Sequence, residues 1–171
     1  MAIPGNLIKF LRTTFRLSWK GIHGAPHWAR VRDNGLRLAG VTGANVEVVE
    51  YFAFLHDVCR EDDGKDPEHG LRAARLTKSI RERYITLENR ELELLLEALE
   101  GHTGGTNPSN VTVATCWDAD RLDLGRIHIV PDPQFLMTDA GRDPETINWA
   151  VRRSVIWRDQ YFQRENSERN L

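Results

Sequence analysis

Apolar residues recur at helical spacing along most of this chain. Residues three or four positions apart lie on one face of an α-helix. Four such stripes are clear: Leu7, Leu11 and Phe15; Val46, Val49, Phe52 and Ala53; Leu92, Leu95, Leu96 and Leu99; and Ile147, Val151, Val155 and Phe162. The spacing predicts about seven amphipathic helices and no obligatory sheet, and therefore an all-α fold.

Proline and acidic residues predict where several helices begin. Asp66-Pro67-Glu68 and Asp143-Pro144-Glu145 each place a capping aspartate before a proline at the first helical position. Asn107-Pro108 gives a third start of this kind. Residues 110–117 are the least certain segment, because their β-branched side chains favour a strand by propensity. The Asn-Pro start favours a helix there instead.

Length and composition favour one folded domain over residues 1–171. The 171 residues are 40% hydrophobic, which is enough for a real core. No run of eighteen uncharged apolar residues occurs, and Lys9, Arg12, Arg16 and Lys20 interrupt the first twenty. We therefore expect no membrane span, no ordinary secretory signal and a cytoplasmic protein. The two cysteines, Cys59 and Cys116, lie far apart and outside any CxxC spacing, which argues against disulfides and a zinc ribbon.

Charge is nearly balanced but unevenly distributed. The formal net charge of −2 gives no reason to expect DNA binding. The first 46 residues, however, hold seven Lys or Arg and a single acid, Asp33. This basic start would suit a membrane surface, an organellar address or an anionic ligand. A first helix whose charges simply face water is the plainer interpretation.

His56 and Asp57 are the first candidates for chemistry. His56 lies seven residues after Val49 and four after Phe52, so it extends the apolar stripe of its helix, with Asp57 one step further round. A carboxylate out of water is normally tolerated only if it is paired or coordinates a metal. A buried His-Asp hydrogen bond without a metal is the alternative.

Two further helices are predicted to bring ligands to the same point. His27 follows Pro26 at the start of one helix, and Asp120 lies near the end of the helix that follows Asn107-Pro108. Together with His56 and Asp57 they offer two nitrogen and two oxygen ligands. Such a set suits Mn, Fe, Co, Ni or Zn, with Mg as a further candidate. An open coordination position would hold a water whose pKa is lowered towards neutrality.

The order His27, His56-Asp57 and Asp120, with the last in an Ala-Asp-Arg-Leu-Asp setting, resembles the signature of the HD-domain superfamily of metal-dependent phosphohydrolases. The resemblance covers residues 22–123, about two-thirds of the chain. It implies an all-α HD-type bundle with a metal-binding core over residues 20–128. Residues 129–171 would then form a C-terminal loop and helix, and the first residues an N-terminal helical extension.

The resemblance also assigns roles to individual residues. His27, His56, Asp57 and Asp120 become the metal ligands, and in the mechanism that we expect, Asp57 or a histidine relays the proton. His69 in Asp-Pro-Glu-His-Gly and His102 in Glu-Gly-His match additional histidines of many members. They would either hold a second ion, with Asp57 bridging, or contact the phosphate. Asp118 and Asp123 become candidate hydrogen-bond acceptors that orient the ligating histidines.

A phosphorylated substrate also needs cations, and guanidinium groups match phosphate oxygens in a two-pronged geometry. Arg30, Arg60 and Arg121 each lie close in sequence to a predicted ligand. Arg72, on the helix that follows His69, is a second choice with Arg75 and Lys78. A solvated helix face is the alternative for each of them.

Together these residues and the resemblance favour a metal-dependent phosphohydrolase acting on a small phosphate ester, with nucleotides as the first class to test. One or two divalent ions would polarise the phosphoryl oxygen and activate water. Two other functions stay open: a non-catalytic, regulatory nucleotide-binding module, and a di-iron oxygenase on the same scaffold. Trp149, Ile156 or Val155, and Phe162 of the last helix either cover the core or form a homodimer surface.

Overall fold

The computed structural model describes residues 3–169, with side chains described for residues 3–164. Within these residues lie nine α-helices, seven of them longer than one turn, two short 3-10 helices and no strand. The α-helices are α1 (Gly5–Thr14), α2 (Ala25–Thr42), α3 (Val46–Leu55), α4 (His69–Ser79), α5 (Arg81–Tyr84), α6 (Asn89–Gly101), α7 (Val111–Arg121), α8 (Asp139–Arg142) and α9 (Pro144–Arg169). The 3-10 helices are Leu124–Ile127 and Pro133–Phe135. The predicted all-α fold is confirmed.

Four helices, α2, α3, α6 and α7, pack against one another around one continuous apolar core, and α4 lies against α6. Gly35 shows how closely α2 and α3 approach. A Cβ atom at Gly35 would lie 2.4 Å from Cγ1 of Val49 on α3 and 3.4 Å from Cβ of Ala119 on α7. The close packing of these three helices brings their ends, and the polar residues there, to one place.

The predicted helix starts differ in outcome. Asp143 caps α9, because its carboxylate accepts a hydrogen bond from the backbone N–H of Thr146 at 2.9 Å. The Asp66 cap is wrong: α4 begins at His69, and the Asp66 carboxylate instead accepts from the N–H of Glu61 and from Arg72. The start at Asn107-Pro108 is also three residues early, since Asn110 is the residue that caps α7.

Residues 111–121 are helical despite their β-branched side chains. Thr112, Val113 and Thr115 are buried, so tertiary packing outweighs their preference for a strand. The prediction of a helix in this segment is confirmed. Its C-terminal end carries the acidic residues of the candidate site.

The last helix, α9, packs against the 3-10 helix Leu124–Ile127 and against α2 and α8. Trp149 is half-buried and packs against the core, as expected for core packing. Ile156 and Phe162 are 58% and 43% exposed. None of the described helices combines the length and apolar character that a membrane crossing requires.

Candidate metal centre

His27 and His56 meet in the interior with their rings steeply inclined to each other. His27 lies in the first turn of α2 and His56 at the C-terminal end of α3, and both are fully buried. Their Nε2 atoms are 3.0 Å apart. Nδ1 of His27 donates to the Asp123 carboxylate at 2.7 Å, and Nδ1 of His56 donates to the carbonyl of Ala53 at 3.1 Å. Both Nε2 atoms therefore turn towards the same space between α2 and α3.

Two carboxylates complete this first histidine pair. Oδ2 of Asp57 lies 3.5 Å from Nε2 of His27 and 3.7 Å from Nε2 of His56. Oδ1 of Asp120 lies 3.3 Å and 3.7 Å from the same two nitrogens. The structure thus brings together all four residues that the sequence analysis names as metal ligands.

His69 and His102 form a second histidine pair at the facing ends of α4 and α6. Their Nε2 atoms are 2.7 Å apart. Each Nδ1 donates to a backbone carbonyl, that of Asp66 for His69 and that of Leu99 for His102. Oδ1 of Asp57 lies 3.1 Å from Nε2 of His69 and 3.9 Å from that of His102. Asp57 therefore stands between the two pairs, with one oxygen towards each.

Gly70 allows the second pair to form. A Cβ atom at this position would lie 2.3 Å from the carbonyl oxygen of Leu99 and 3.1 Å from Cε1 of His102. Real Cβ atoms essentially never approach a backbone atom that closely. The first turn of α4 can therefore rest directly on the end of α6, which sets His69 against His102.

The surroundings of His27 and His56 shift their pKa values in opposite directions. Burial and the charge of Arg126 oppose protonation of His27, but hydrogen bonds to Asp120, Asp123 and Asp57 outweigh them and raise its pKa to about 9. Burial lowers the pKa of His56 to about 3. In the metal-free protein at neutral pH, a proton on Nε2 of His27 therefore lies between the two rings and the carboxylates.

Both carboxylates stay ionised, although Asp57 is buried and Asp120 is half-buried. Burial alone would raise the pKa of Asp57, but the neighbouring His56 and hydrogen bonds from His23, His27 and His69 hold it well below its usual range. Burial also opposes ionisation of Asp120, and the hydrogen bond from His27 again prevails and lowers its pKa. Ionised carboxylates out of water need a cation nearby.

The donor set fits divalent metal ions. Since both Nδ1 atoms of each pair donate to oxygens, a lone pair on Nε2 is available from every ring once the His27 proton leaves. Ligand atoms of His27, His56 and Asp57 lie within 4.8 Å of one another, and so do those of Asp57, His69 and His102. Imidazole and carboxylate together suit first-row divalent ions.

A cleft of about 560 Å³ opens beside the second pair and the two carboxylates. Asp57, His69, His102 and Asp120 lie in its wall. Three arginines, Arg60, Arg121 and Arg126, also line it. Leu124, Ile127, Phe135 and Met137 add apolar surface, and residues 103–106 form part of the rim. The cleft therefore joins buried ligands to solvent through a basic and partly apolar passage.

The predicted phosphate-binding arginines occupy different positions. Arg60 lines the cleft and donates from Nε to Oδ1 of Asp57 at 3.0 Å. Arg121 also lines it, but its two terminal nitrogens donate to the carbonyls of Phe135 and Gly105, each at 2.7 Å. Arg30 and Arg72, which are both among the described residues, lie outside the lining of this cleft. Arg30 is paired with Asp123, and Arg72 with Asp66 and the carbonyl of Cys59.

The two aspartates expected behind the histidines also differ. Asp123 accepts from Nδ1 of His27, as that expectation requires. Among the described residues, no histidine donates a hydrogen bond to Asp118. Its carboxylate accepts from the backbone N–H groups of Met137 and Thr138 at 2.7 and 2.8 Å and from the Thr138 hydroxyl. Asp118 lies within α7, whereas Asp123 lies just beyond its end, so the two carboxylates bind different parts of the structure.

Two residues of the site were not assigned to it from the sequence. His23 is 5% exposed and contacts Oδ2 of Asp57 from Nδ1 at 2.9 Å. Arg126 is 4% exposed and donates to the carbonyls of Ile22 and Asp123. The only sequence signal for Arg126 is its position three residues after Asp123. His23 precedes His27 by four residues, but it lies in a turn before α2 begins.

Comparison with solved structures gives one informative match. The crystal structure of a predicted HD superfamily hydrolase from an uncultured Thermotogales bacterium superposes with a TM-score of 0.67. The match covers 95% of this chain and 91% of the other at 20% sequence identity. No family model matches the chain, and no curated protein matches it. At this level of identity the likeness demonstrates a common fold.

Proposed function

From the HD-domain fold that this chain has, we propose that it is a metal-dependent phosphohydrolase of a small phosphate ester, with nucleotides as the first class to test. One observation carries the proposal. The Asp57 carboxylate directs one oxygen to each of two buried histidine pairs, and Asp57, Asp120 and the second pair line a cleft together with three arginines. That arrangement combines cation ligands with a binding site for an anionic substrate.

We assign His27, His56, Asp57 and Asp120 as ligands of a first divalent ion. Oδ1 of Asp57, His69 and His102 would hold a second ion, because two neutral Nε2 atoms at 2.7 Å repel each other unless a cation or a shared proton lies between them. When bound, such ions polarise a phosphoryl oxygen and lower the pKa of a bound water. The metal-free alternative for His69 and His102 is direct contact with the phosphate.

The protein's own groups would bind the ester and handle the proton. Arg126 is the best-placed phosphate ligand, because hydrogen bonds to the Ile22 and Asp123 carbonyls fix its guanidinium at the cleft wall. A cation held in place before the substrate arrives needs no reorganisation during the reaction. Arg60 adds positive charge at Asp57. His23, which contacts Asp57 and lines the cleft, would exchange the proton that Asp57 relays.

The basic lining of the cleft also helps to distinguish the hydrolase from the two alternative functions, an oxygenase and a regulatory nucleotide-binding module. Three arginines favour an anionic ligand, which a phosphate ester provides and a neutral oxygenase substrate does not. A regulatory nucleotide-binding module would use the same arginines, so only turnover separates it from an enzyme. The cytosol is the compartment we propose, because Cys59 and Cys116 are both free thiols.

The proposal is tested by quantifying metal in the purified protein and then assaying phosphomonoesters, nucleotides and cyclic diesters with Mn, Co, Ni and Mg. We expect turnover of at least one ester with at least one ion. Arg126→Gln should raise KM by about tenfold, the usual cost of one lost hydrogen bond to a charged group. Arg90→Gln, at an exposed arginine of α6 outside the cleft, is the control and should leave KM unchanged. Tight nucleotide binding without turnover would contradict the enzymatic proposal.

A further inference from the structure

We infer that the C-terminal helix positions the first metal site, through a relay in which Trp157 fixes Arg30, Arg30 fixes Asp123, and Asp123 fixes His27. In this relay Arg30 and Trp157 are positioning residues, and Arg30 does not bind substrate. The inference rests on the proposed function only in that it requires a metal ion at His27. It extends the metal centre to α9, which lies outside residues 22–123, where the sequence resembles the HD-domain signature.

The inner links of the relay are charge-assisted hydrogen bonds. Arg30 donates from Nε to Oδ1 of Asp123 at 2.7 Å and from Nη2 to Oδ2 at 2.9 Å. Oδ2 of Asp123 also accepts from Nδ1 of His27 at 2.7 Å. A two-pronged guanidinium–carboxylate pair fixes the plane of the carboxylate as well as its position. The direction of Nε2 of His27, the atom that would bind metal, therefore depends on Arg30.

The outer link joins Arg30 to α9. Cζ of Arg30 lies 4.4 Å from the centre of the Trp157 ring. Arg30 is only 7% exposed and Asp123 only 1% exposed. Trp157 thus covers one face of the guanidinium, adds a cation–π attraction and keeps water from the ion pair. Without the indole, the guanidinium gains both water and freedom to turn.

The same helix also holds the backbone next to Asp123. A Cβ atom at Gly125 would lie 2.3 Å from Oγ of Ser154, so α9 rests directly on the segment that follows Asp123. Arg158 of α9 donates to the carbonyl of Gly125. Two independent contacts, one through a side chain and one through the backbone, therefore connect α9 with the acceptor behind His27.

The chain contains a matched control for the outer link. Trp149, two turns before Trp157 on α9, lies against Arg37, two turns after Arg30 on α2. Cζ of Arg37 is 4.8 Å from the centre of the Trp149 ring. Both tryptophans are half-buried and both cover an arginine of α2. Only the Arg30–Trp157 stack is linked to a candidate metal ligand.

The experiment compares Trp157→Leu, Trp157→Phe, Trp149→Leu and Arg30→Gln by titrating the full-length metal-free proteins with Co²⁺, following the visible absorption of the bound ion. Arg30→Gln should weaken the first site by about 10–100-fold, as is usual for groups that orient a metal-ligating histidine. Trp157→Leu should weaken it by about three- to tenfold and alter the Co²⁺ spectrum. Trp157→Phe, which keeps an aromatic face, should recover most of the affinity, and Trp149→Leu should match wild type.

Thermal unfolding of the metal-free proteins separates positioning from simple loss of stability. Both leucine variants should lower Tm by similar amounts, since each removes a similar ring. Equal Co²⁺ affinity and spectra for Trp157→Leu and Trp149→Leu would overturn the relay, and so would a wild-type protein that binds no Co²⁺. Co²⁺ binding that responds to Trp157 but supports no turnover would uphold the relay while contradicting the hydrolase.

Discussion

The two histidine pairs look alike at their facing Nε2 atoms and differ in what lies behind them. Behind His27 stands an ionised carboxylate, Asp123, which Arg30 holds in turn. Behind His69 and His102 stand only the backbone carbonyls of Asp66 and Leu99. The first pair also has two carboxylates beside it, whereas the second shares one oxygen of Asp57.

This difference predicts unequal affinity for cations. An anionic acceptor makes an imidazole a stronger ligand than a neutral carbonyl does, and each added carboxylate increases the attraction for a divalent ion. We therefore expect the first pair to bind an ion tightly and the second pair to bind one weakly and exchangeably. The variants below test that ranking.

Asp57→Asn should have the largest effect, because Asp57 is the single residue that both pairs share. We expect both ions to be lost and turnover to fall about a thousandfold or more, since a metal contributes several kcal/mol to the transition state and each 1.4 kcal/mol is tenfold in rate. Metal content and turnover would be measured on the same preparation. Asp139→Asn, at an exposed aspartate of α8, should behave as wild type. Retention of both ions by Asp57→Asn would show that the two histidine pairs do not depend on a shared Asp57.

His102→Gln should remove only the weaker ion. We expect one tightly held ion per chain to remain and turnover to fall by about a hundredfold, the scale of losing one preorganised electrostatic group. His56→Gln is the reciprocal variant and should lose the tighter ion. If His102→Gln emptied both pairs, their separation into a strong and a weak site would be wrong.

Asp123→Asn should weaken the first site by about 10–100-fold and leave the second unchanged. Titration with Mn²⁺ or Co²⁺, fitted to two sites, would measure both constants. Asp118→Asn is the control, because Asp118 is buried on the same stretch but holds Met137 and Thr138 rather than a histidine. It should lower Tm and leave both affinities unchanged.

Raising the pH should strengthen the first site. Metal must displace the proton of His27, whose pKa is about 9 in the metal-free protein, so apparent affinity should rise about tenfold per pH unit up to that value. The raised pKa also stabilises the metal-free fold fully below pH 6.5, and this contribution is lost as the pH rises towards 9. The Tm of the protein freed of metal by a chelator should therefore fall over that range. The Tm of the metal-bound protein should fall less. A pH-independent affinity would show that His27 is not a ligand.

Sequence alone predicted the fold class and the convergence of the candidate ligands, because both leave local signals. Helical periodicity marked α1, α3, α6 and α9, and the His56-Asp57 dipeptide places polar groups in continuation of an apolar stripe that should be buried. The polar partners were harder to predict. Arg30 lies three residues after His27 and Arg126 three residues after Asp123, yet the first pairs with Asp123 and the second lines the cleft. That choice depends on which helix covers them, and α9 lies more than a hundred residues from Arg30 along the chain.

Gly70 shows that a residue without a functional group can limit a site as strictly as a ligand does. The backbone of α4 touches the end of α6 at this point, so any larger residue there must drive two helices apart. Such a change would separate His69 from His102 without altering either side chain. The spacing of the weaker pair is thus encoded in main-chain contact, and a methyl group at residue 70 would be enough to undo it.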